Sequence, residues 1–306
     1  MKKFIKRLSL FMLIIIVFVI VDILIQKVTL FTDDDMKLAK NINSLIIGHS
    51  HPAFAYNTRY INNSFNIAES GEAYVYTYFK VKRVIENNPQ IKRVYIEFTN
   101  NNISYEMNDW IWDDANLQHN FVKYGVLLDL ETLNLLYKKN SSGLINAVSK
   151  GLFNNILVII ETKGNKIQNG LMGGYLTTDQ ILVKKKKIDK NVSSNQINKK
   201  LNSFDSISTH NVYYLKKIVN YCERKKINVF LVRSPMHKKY NVAKKERLFK
   251  IILNNDFRNV RWIDNVNFQL PDSCFKDFEH LNSNGAKIYS QYFNNQINKS
   301  NDVENY

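Results

Sequence analysis

Leu45-Ile46-Ile47-Gly48-His49-Ser50-His51 is the stretch that decides the fold. Three apolar residues closed by a glycine read as a buried strand followed by a tight turn. Ser64-Phe65-Asn66-Ile67 is a second short extended piece, ending near Gly71. Tyr74, Tyr78, Val81 and Ile85 then fall on one helical face, and Asn87-Asn88-Pro89 stops that helix. Val94-Tyr95-Ile96 is another strand. The rhythm is strand, turn, helix, strand, as in a parallel α/β sheet. It returns near the far end. Leu215, Ile218, Val219 and Cys222 make a helical stripe. Val229-Phe230-Leu231-Val232 and Val260-Arg261-Trp262-Ile263 read as strands, and Ala286, Tyr289, Phe293 and Ile297 give a closing helix. Four or five parallel strands with helices on both faces suit a flavodoxin-like, doubly wound sheet. In such sheets, sites lie at the carboxyl ends of the strands.

Between these halves, from about 103 to 208, the rhythm breaks. This stretch holds Trp110 and Trp112, helical-looking apolar patches from Val122 to Leu136, and a lysine-rich run from Lys184 to Lys200. It reads as a long insertion, part helical and part loop. The Lys184-to-Lys187 run is a solvated loop or a site for an anionic polymer or lipid headgroup. At the other extreme, Leu8 to Ile25 is almost wholly apolar and about long enough to cross a bilayer; Asp22 interrupts it only near one end. Lys2, Lys3, Lys6 and Arg7 precede the run, and Asp33, Asp34 and Asp35 follow it. The positive-inside rule then predicts a cytoplasmic N-terminus and an extracytoplasmic domain. No small-residue cleavage site follows, so the segment reads as an uncleaved anchor. The expected division is a basic tip and transmembrane helix over 1–31 and one α/β domain over 40–300.

The chain of 306 residues carries a formal net charge of +16. A basic surface suits anionic lipid or anionic glycan. Nucleic acid is disfavoured, because no zinc-finger spacing, RNA-binding signature or basic helix with heptads is present. Cys222 and Cys274 read as buried small hydrophobes or as one disulfide. No histidine-carboxylate spacing suggests a metal.

The chemistry-bearing residues sit at strand ends. A serine on a tight turn after a strand, here Ser50, has an exposed hydroxyl and an amide aimed at an incoming oxyanion. It needs a base to take its proton. Asp277-Phe278-Glu279-His280 places a carboxylate three residues before a histidine, just ahead of the last helix. That spacing lets the carboxylate hold one imidazole nitrogen while the other faces the serine. Glu279 is the alternative orienter. His51 reads as a turn cap or a substrate contact, His237 at a strand end as a surface loop residue or one on the active face, and His119 and His210 as loop or cap positions. Trp110 and Trp112 read as core packing or sugar-stacking platforms.

Taken in order, these blocks resemble the SGNH (GDSL-like) superfamily in its membrane-anchored, cell-envelope branch. That branch includes the D-alanyl-lipoteichoic acid transfer and alginate O-acetylation proteins. The blocks are Leu45 to His51, Ser64 to Gly71, a degenerate third block from Val94 to Asn100, and Asp277 to Ala286. The resemblance implies Ser50 as nucleophile, His280 as general base and Asp277 as its orienter. It implies an oxyanion hole from the amides of Ser50 and Gly71, with the Asn100 side chain, or Asn101 or Asn102, or no asparagine at all, as a third donor. His49 departs from the usual Asp or Asn, and the Gly-x-Asn-Asp of the third block is absent. The implied activity is O-acyl (acetyl) transfer to a cell-envelope polysaccharide or anionic polymer through an acyl-serine, without a cofactor. A multi-spanning membrane acyltransferase would supply the acyl group. An extracytoplasmic carbohydrate esterase or deacetylase, and a non-catalytic polysaccharide-binding or assembly protein, are the alternatives.

Overall fold

The computed structural model describes residues 2–29, 36–161, 172–182, 207–240 and 245–304. Its five strands are β1 (Ser44–Ile47), β2 (Ser64–Asn66), β3 (Arg93–Glu97), β4 (Asn228–Arg233) and β5 (Arg261–Asp264). They form one sheet in the order β2-β1-β3-β4-β5, with every neighbouring pair parallel. Parallel neighbours need crossovers. The connection from β1 to β2 contains α2 (Ser50–Ala55), and α3 (Tyr74–Asn87) carries the chain from β2 back past β1 to β3. The winding direction therefore reverses between β1 and β3, and a crevice opens at their carboxyl ends.

Alternation along the strands fills both faces. Ile46, Tyr95, Phe230 and Val232 join one cluster with Tyr56 and with Tyr289 and Phe293 of α10 (Ser283–Glu304). Leu45, Ile47, Val94, Ile96, Val229 and Leu231, one position out of phase, are also buried. On that side α3 packs beside α8 (Thr209–Arg224), and α9 (Glu246–Asp256) sets Phe249 against Phe98 and Trp262. The helix stop expected at Asn87-Asn88-Pro89 is made by Asn88, whose Nδ2 bonds the Val84 carbonyl at 2.7 Å. The Ser208 hydroxyl caps α8 by accepting from the Asn211 amide at 3.2 Å. Both cysteines are buried and free, and the expected alternative of a disulfide is not made.

The stretch from 103 to 208 is shared between two compact units. The chain divides into two compact units, one of Met1–Lys37 with Trp112–Leu171, the other of Leu38–Ile111 with Met172–Tyr306. After α4 (Met107–Trp112), the first unit contains α5 (Asp114–Tyr124), α6 (Leu130–Lys139) and α7 (Ser141–Glu161) together with α1 (Lys2–Thr29). Within it α7 packs against α1, α5 and α6. His119, expected in a loop or cap, lies inside α5. Residues 172–182 instead belong to the sheet unit as a strap. Gly174 N bonds Ala68 O at 2.8 Å, Leu176 N bonds Ala53 O at 2.7 Å and Leu182 N bonds Phe275 O at 2.7 Å. This strap ties the ends of β2 and α2 to the loop before α10. Lys184 to Lys187 and Asp33 to Asp35 lie outside the described residues. Among the described residues no helix is long and apolar enough to cross a membrane. The side chains of Ile15, Ile16, Val19, Asp22, Ile23 and Ile25 lie outside that description.

Candidate active site

The turn after β1 is possible only with glycine. Gly48 has φ +141°, and a Cβ there would stand 2.6 Å from Glu97 Cβ and 2.9 Å from Pro52 Cγ. The sharp turn places Ser50 as the first residue of α2, so its amide falls outside the helix's own hydrogen-bond ladder. The second half of the site is a short loop before α10, closed by Lys276 N on His280 O at 2.9 Å. Inside it, Asp277 Oδ1 accepts from the amides of Glu279 at 2.8 Å and His280 at 2.9 Å. Its two oxygens lie 2.9 and 3.0 Å from His280 Nδ1. The other ring nitrogen, Nε2, is 2.8 Å from Ser50 Oγ. Residues 230 apart in sequence are thus joined in a chain of carboxylate, imidazole and hydroxyl. Burial raises the Asp277 carboxyl, but the hydrogen bonds from the His280 ring and the two amides outweigh it and hold it at about 2. An ionised Asp277 fixes the proton on Nδ1 and leaves the Nε2 lone pair towards the serine hydroxyl. The Phe54 ring stands edge-on 5.2 Å from the imidazole. Glu279, the alternative orienter, faces Asn101 and His51 instead.

Ser50 and His280 open into a cavity of about 380 Å³. Asn100, Asn101, Trp110, Tyr240, Lys245 and Glu279 contribute to its wall. Trp110 is half-buried with an edge towards His49 at 5.7 Å, so of the two tryptophans it is the one placed to meet a ligand. The expected oxyanion donors fare unequally. Gly71 makes a turn at φ +80° after β2 and is not among the residues lining the cavity. The Asn100 side chain reaches the cavity, but its Nδ2 donates to Glu246 Oε2 at 2.8 Å and its Oδ1 accepts from Arg233 at 2.9 Å. Asn101 Nδ2 bonds Glu279 at 3.0 Å, and Asn102 receives the amide and hydroxyl of Thr99. Asn100 and Asn101 each spend one amide hydrogen on a glutamate, and Asn102 accepts through its oxygen.

Beneath Ser50 lies a group that sequence spacing does not reveal. Glu97, the last residue of β3, is completely buried and accepts from His49 N at 3.1 Å. Its Oε2 is 3.4 Å from His49 Nδ1, and its Oε1 is 2.9 Å from His51 Nδ1, though that ring N–H is not aimed along a hydrogen bond. Nε2 of His51 faces Glu279 at 3.5 Å. Burial lowers the His49 ring to about 4 against the pull of Glu97. Burial also opposes charge on His51, but Glu97 and then Glu279 overcome it and raise that ring to about 9. Burial pushes the Glu97 carboxyl up, yet the two imidazoles bring it below its ordinary value. These three side chains have ligating atoms within 4.8 Å of one another, close enough to ask whether they hold a cation. With bonds of ~2.1 Å, donors of a tetrahedral site stand roughly 3.4 Å apart. The 2.9 Å between His51 and Glu97 is the approach of an ion pair instead.

A family model of uncharacterised proteins matches residues 180–302. The match takes in β4, β5 and the Asp277-to-His280 loop, under half of the chain, and stops short of Ser50. No curated protein matches the chain.

Two of the sequence expectations need correction. His51 caps no turn; it is buried between two carboxylates. His237 is not a surface loop residue but is 2% exposed, with Nε2 3.1 Å from Asp272 and its ring against Phe275 and Phe278. Glu97 was legible only as the last position of a buried strand, where a carboxylate is out of place unless it has partners. The strap at 172–182 had one signal, Gly173-Gly174: both take positive φ, and a Cβ on Gly173 would meet Ala68 O at 2.4 Å.

Proposed function

We propose that this chain is a membrane-anchored serine acyl-transfer enzyme of SGNH type, on a flavodoxin-like sheet, that moves an acyl group to a cell-envelope polymer. The observation that carries the chemistry is the unbroken run from Asp277 through His280 to Ser50, at 2.9 and 2.8 Å. In this reading Ser50 Oγ attacks the acyl carbonyl while His280 Nε2 takes its proton. The oxyanion collapses, the leaving group departs with that proton, and an acyl-serine remains. An acceptor hydroxyl then gives its proton to His280 and attacks the ester; the bond to Ser50 Oγ breaks, His280 returns the proton to that oxygen, and the acyl group leaves on the acceptor. Water in place of that hydroxyl makes the same site an esterase.

Transfer is favoured by the N-terminal segment. In α1 the side chains of Leu8, Leu10, Phe11, Met12, Leu13, Ile14, Val17 and Phe18 are exposed on every side, which suits a lipid environment better than water. An enzyme tethered there would meet polymers of the envelope, and the net charge of +16 suits anionic ones. A multi-spanning membrane acyltransferase is the partner this reading implies. The test is Ser50→Ala with a chromogenic acetate ester. We expect intact-mass detection of an acetylated wild-type protein and none of the variant, with kcat reduced by roughly 10³-fold or more. Equal turnover by the two proteins would sink the reading. Added sugar or polyol hydroxyls should accelerate loss of the acetyl group if transfer, rather than hydrolysis, is the natural fate.

A further inference from the structure

Ser50 and His280 stand on separate elements, so the base must be held at bonding distance from the hydroxyl. Their sequence neighbours meet across the same gap. His51, the residue after Ser50 in α2, turns Nε2 towards Glu279, the residue before His280, at 3.5 Å. This contact runs beside the 2.8 Å hydrogen bond between Ser50 and His280, and the His51 and His280 rings stand edge to face with centroids 5.2 Å apart. Behind His51, Glu97 at the end of β3 approaches Nδ1 at 2.9 Å and takes the His49 amide at 3.1 Å. In front, Asn101 Nδ2 holds Glu279 at 3.0 Å, and the Tyr240 hydroxyl donates to Asn101 Oδ1 at 3.0 Å. A run of side chains thus crosses from the end of β3 to the loop that carries the base.

Both neighbours of the His51 ring are carboxylates. A neutral imidazole has one N–H and one lone pair, so either tautomer would turn a lone pair on Glu97 or on Glu279. Only the imidazolium attracts both. With the proton, one cation stands between two anions. Without it, two carboxylates face each other across an uncharged ring. Glu97 is wholly buried and fixed by its strand and the His49 amide, so half-buried Glu279 is the end that moves. We propose that His51 and Glu279 are positioning residues: protonated His51 braces the loop of His280 against the turn of Ser50, and the alignment of base and nucleophile depends on that proton. The catalytic consequence rests on the acyl-serine reading above.

The other charged and titratable groups around the brace fit this role. Burial brings His49, on the same turn, down to about 4, so it does not compete for the proton. His280 is engaged by Asp277 and Ser50. Lys245, on the cavity wall, is held by Ser104 at 2.7 Å and Glu106 at 3.2 Å. Burial opposes charge on His51, but Glu97 and then Glu279 overcome it and raise the ring to about 9.

The first readout uses the wild-type chain, so no variant has to fold. ¹⁵N-histidine NMR at pH 7 should show both His51 ring nitrogens protonated, and a neutral His51 overturns the proposal. Alignment is read as the rate at which a fluorophosphonate ester labels Ser50, which needs neither the natural acyl group nor an acceptor. In the wild type that rate should fall as pH rises through the His51 titration. Glu279→Ala removes the brace but keeps His51 paired with Glu97, so no lone buried charge is created. It should label roughly 100-fold more slowly, the effect of a displacement of about 1 Å, with its circular dichroism unchanged and no alkaline fall left. Glu279→Gln keeps an oxygen for Asn101 and His51 but loses the charge. It should regain most of the rate at pH 6, and its His51 titration and labelling limb should move to lower pH together. A titration that moves while the limb stays overturns the brace, and so does labelling of Glu279→Ala at the wild-type rate. In both cases a labelled Ser50 leaves the acyl-serine reading standing. A wild-type Ser50 that never labels, or ester turnover that survives Ser50→Ala, defeats that reading and the positioning role with it, even beside a charged His51.

Discussion

At the scale of single residues, the site depends on which carboxylate meets which nitrogen. Asp277 and Glu279 are two residues apart, and either could be drawn towards His280 from sequence. The loop resolves the choice, because Asp277 is fixed by two backbone amides while facing Nδ1, and Glu279 is turned to His51. Asp277→Asn should therefore leave the shape of the site intact but allow the His280 proton onto the wrong nitrogen. We expect kcat for ester turnover to fall by roughly 10³- to 10⁴-fold with the circular dichroism spectrum unchanged. A fall of less than about tenfold would mean that Asp277 does not orient the base, because a mere surface contact rarely matters more. The structure brings Ser50, Asp277 and His280 together; the three-residue spacing in the sequence spoke only for Asp277 and His280, and Ser50 was joined to them by resemblance. The reading from sequence was weakest at the oxyanion side. An asparagine in a degenerate block says nothing of where its amide points, and Asn100 points into a network with Arg233 and Glu246.

At the scale of elements, the strands and the crossover helices were legible because burial enforces their periods. The run Leu45 to Ile47 is apolar because β1 lies between β2 and β3 with both faces covered. The strap at 172–182 was not legible, since an extended segment held by backbone bonds to Ala53, Ala68 and Phe275 imposes no apolar repeat. Helix α9 does carry such a repeat, in Leu248, Phe249 and Ile252, with Phe249 set against Phe98 and Trp262 and Glu246 held by Arg233. For α1 the prediction is direct. Its described apolar side chains are exposed, and Lys2, Lys3, Lys6 and Arg7 stand at its start. A variant lacking residues 2–29 should move from the membrane to the soluble fraction and resist extraction differences between salt and detergent. The full chain should need detergent. If high salt alone releases the full chain, attraction of the basic residues for anionic lipid holds it, and the spanning anchor is wrong.

At the scale of the whole molecule, the buried His49 and His51 should shape stability against pH in opposite directions. His49 is brought down from 6.5 to about 4, so the unfolded chain binds its proton more readily. Its contribution is complete above about pH 6.5 and is lost as pH falls towards 4. His51 is raised from 6.5 to about 9, so the folded chain binds its proton more readily. Its contribution is complete below about pH 6.5 and is lost as pH rises through 9. Together they place the stability maximum near pH 6.5, on the acid side of neutrality despite a sequence pI of about 9.6. Urea midpoints measured from pH 5 to 9.5 should trace that dome. His51→Gln with Glu97→Gln should flatten the alkaline limb, since neither a buried imidazolium nor an unpartnered carboxylate is left to titrate. His49→Asn should flatten the acid limb between about 4 and 6.5 while leaving the alkaline one in place. An alkaline limb as steep in the double variant as in the wild type would assign it to lysines or tyrosines elsewhere. The ion pair beneath Ser50 would then contribute nothing to the fold's response to pH.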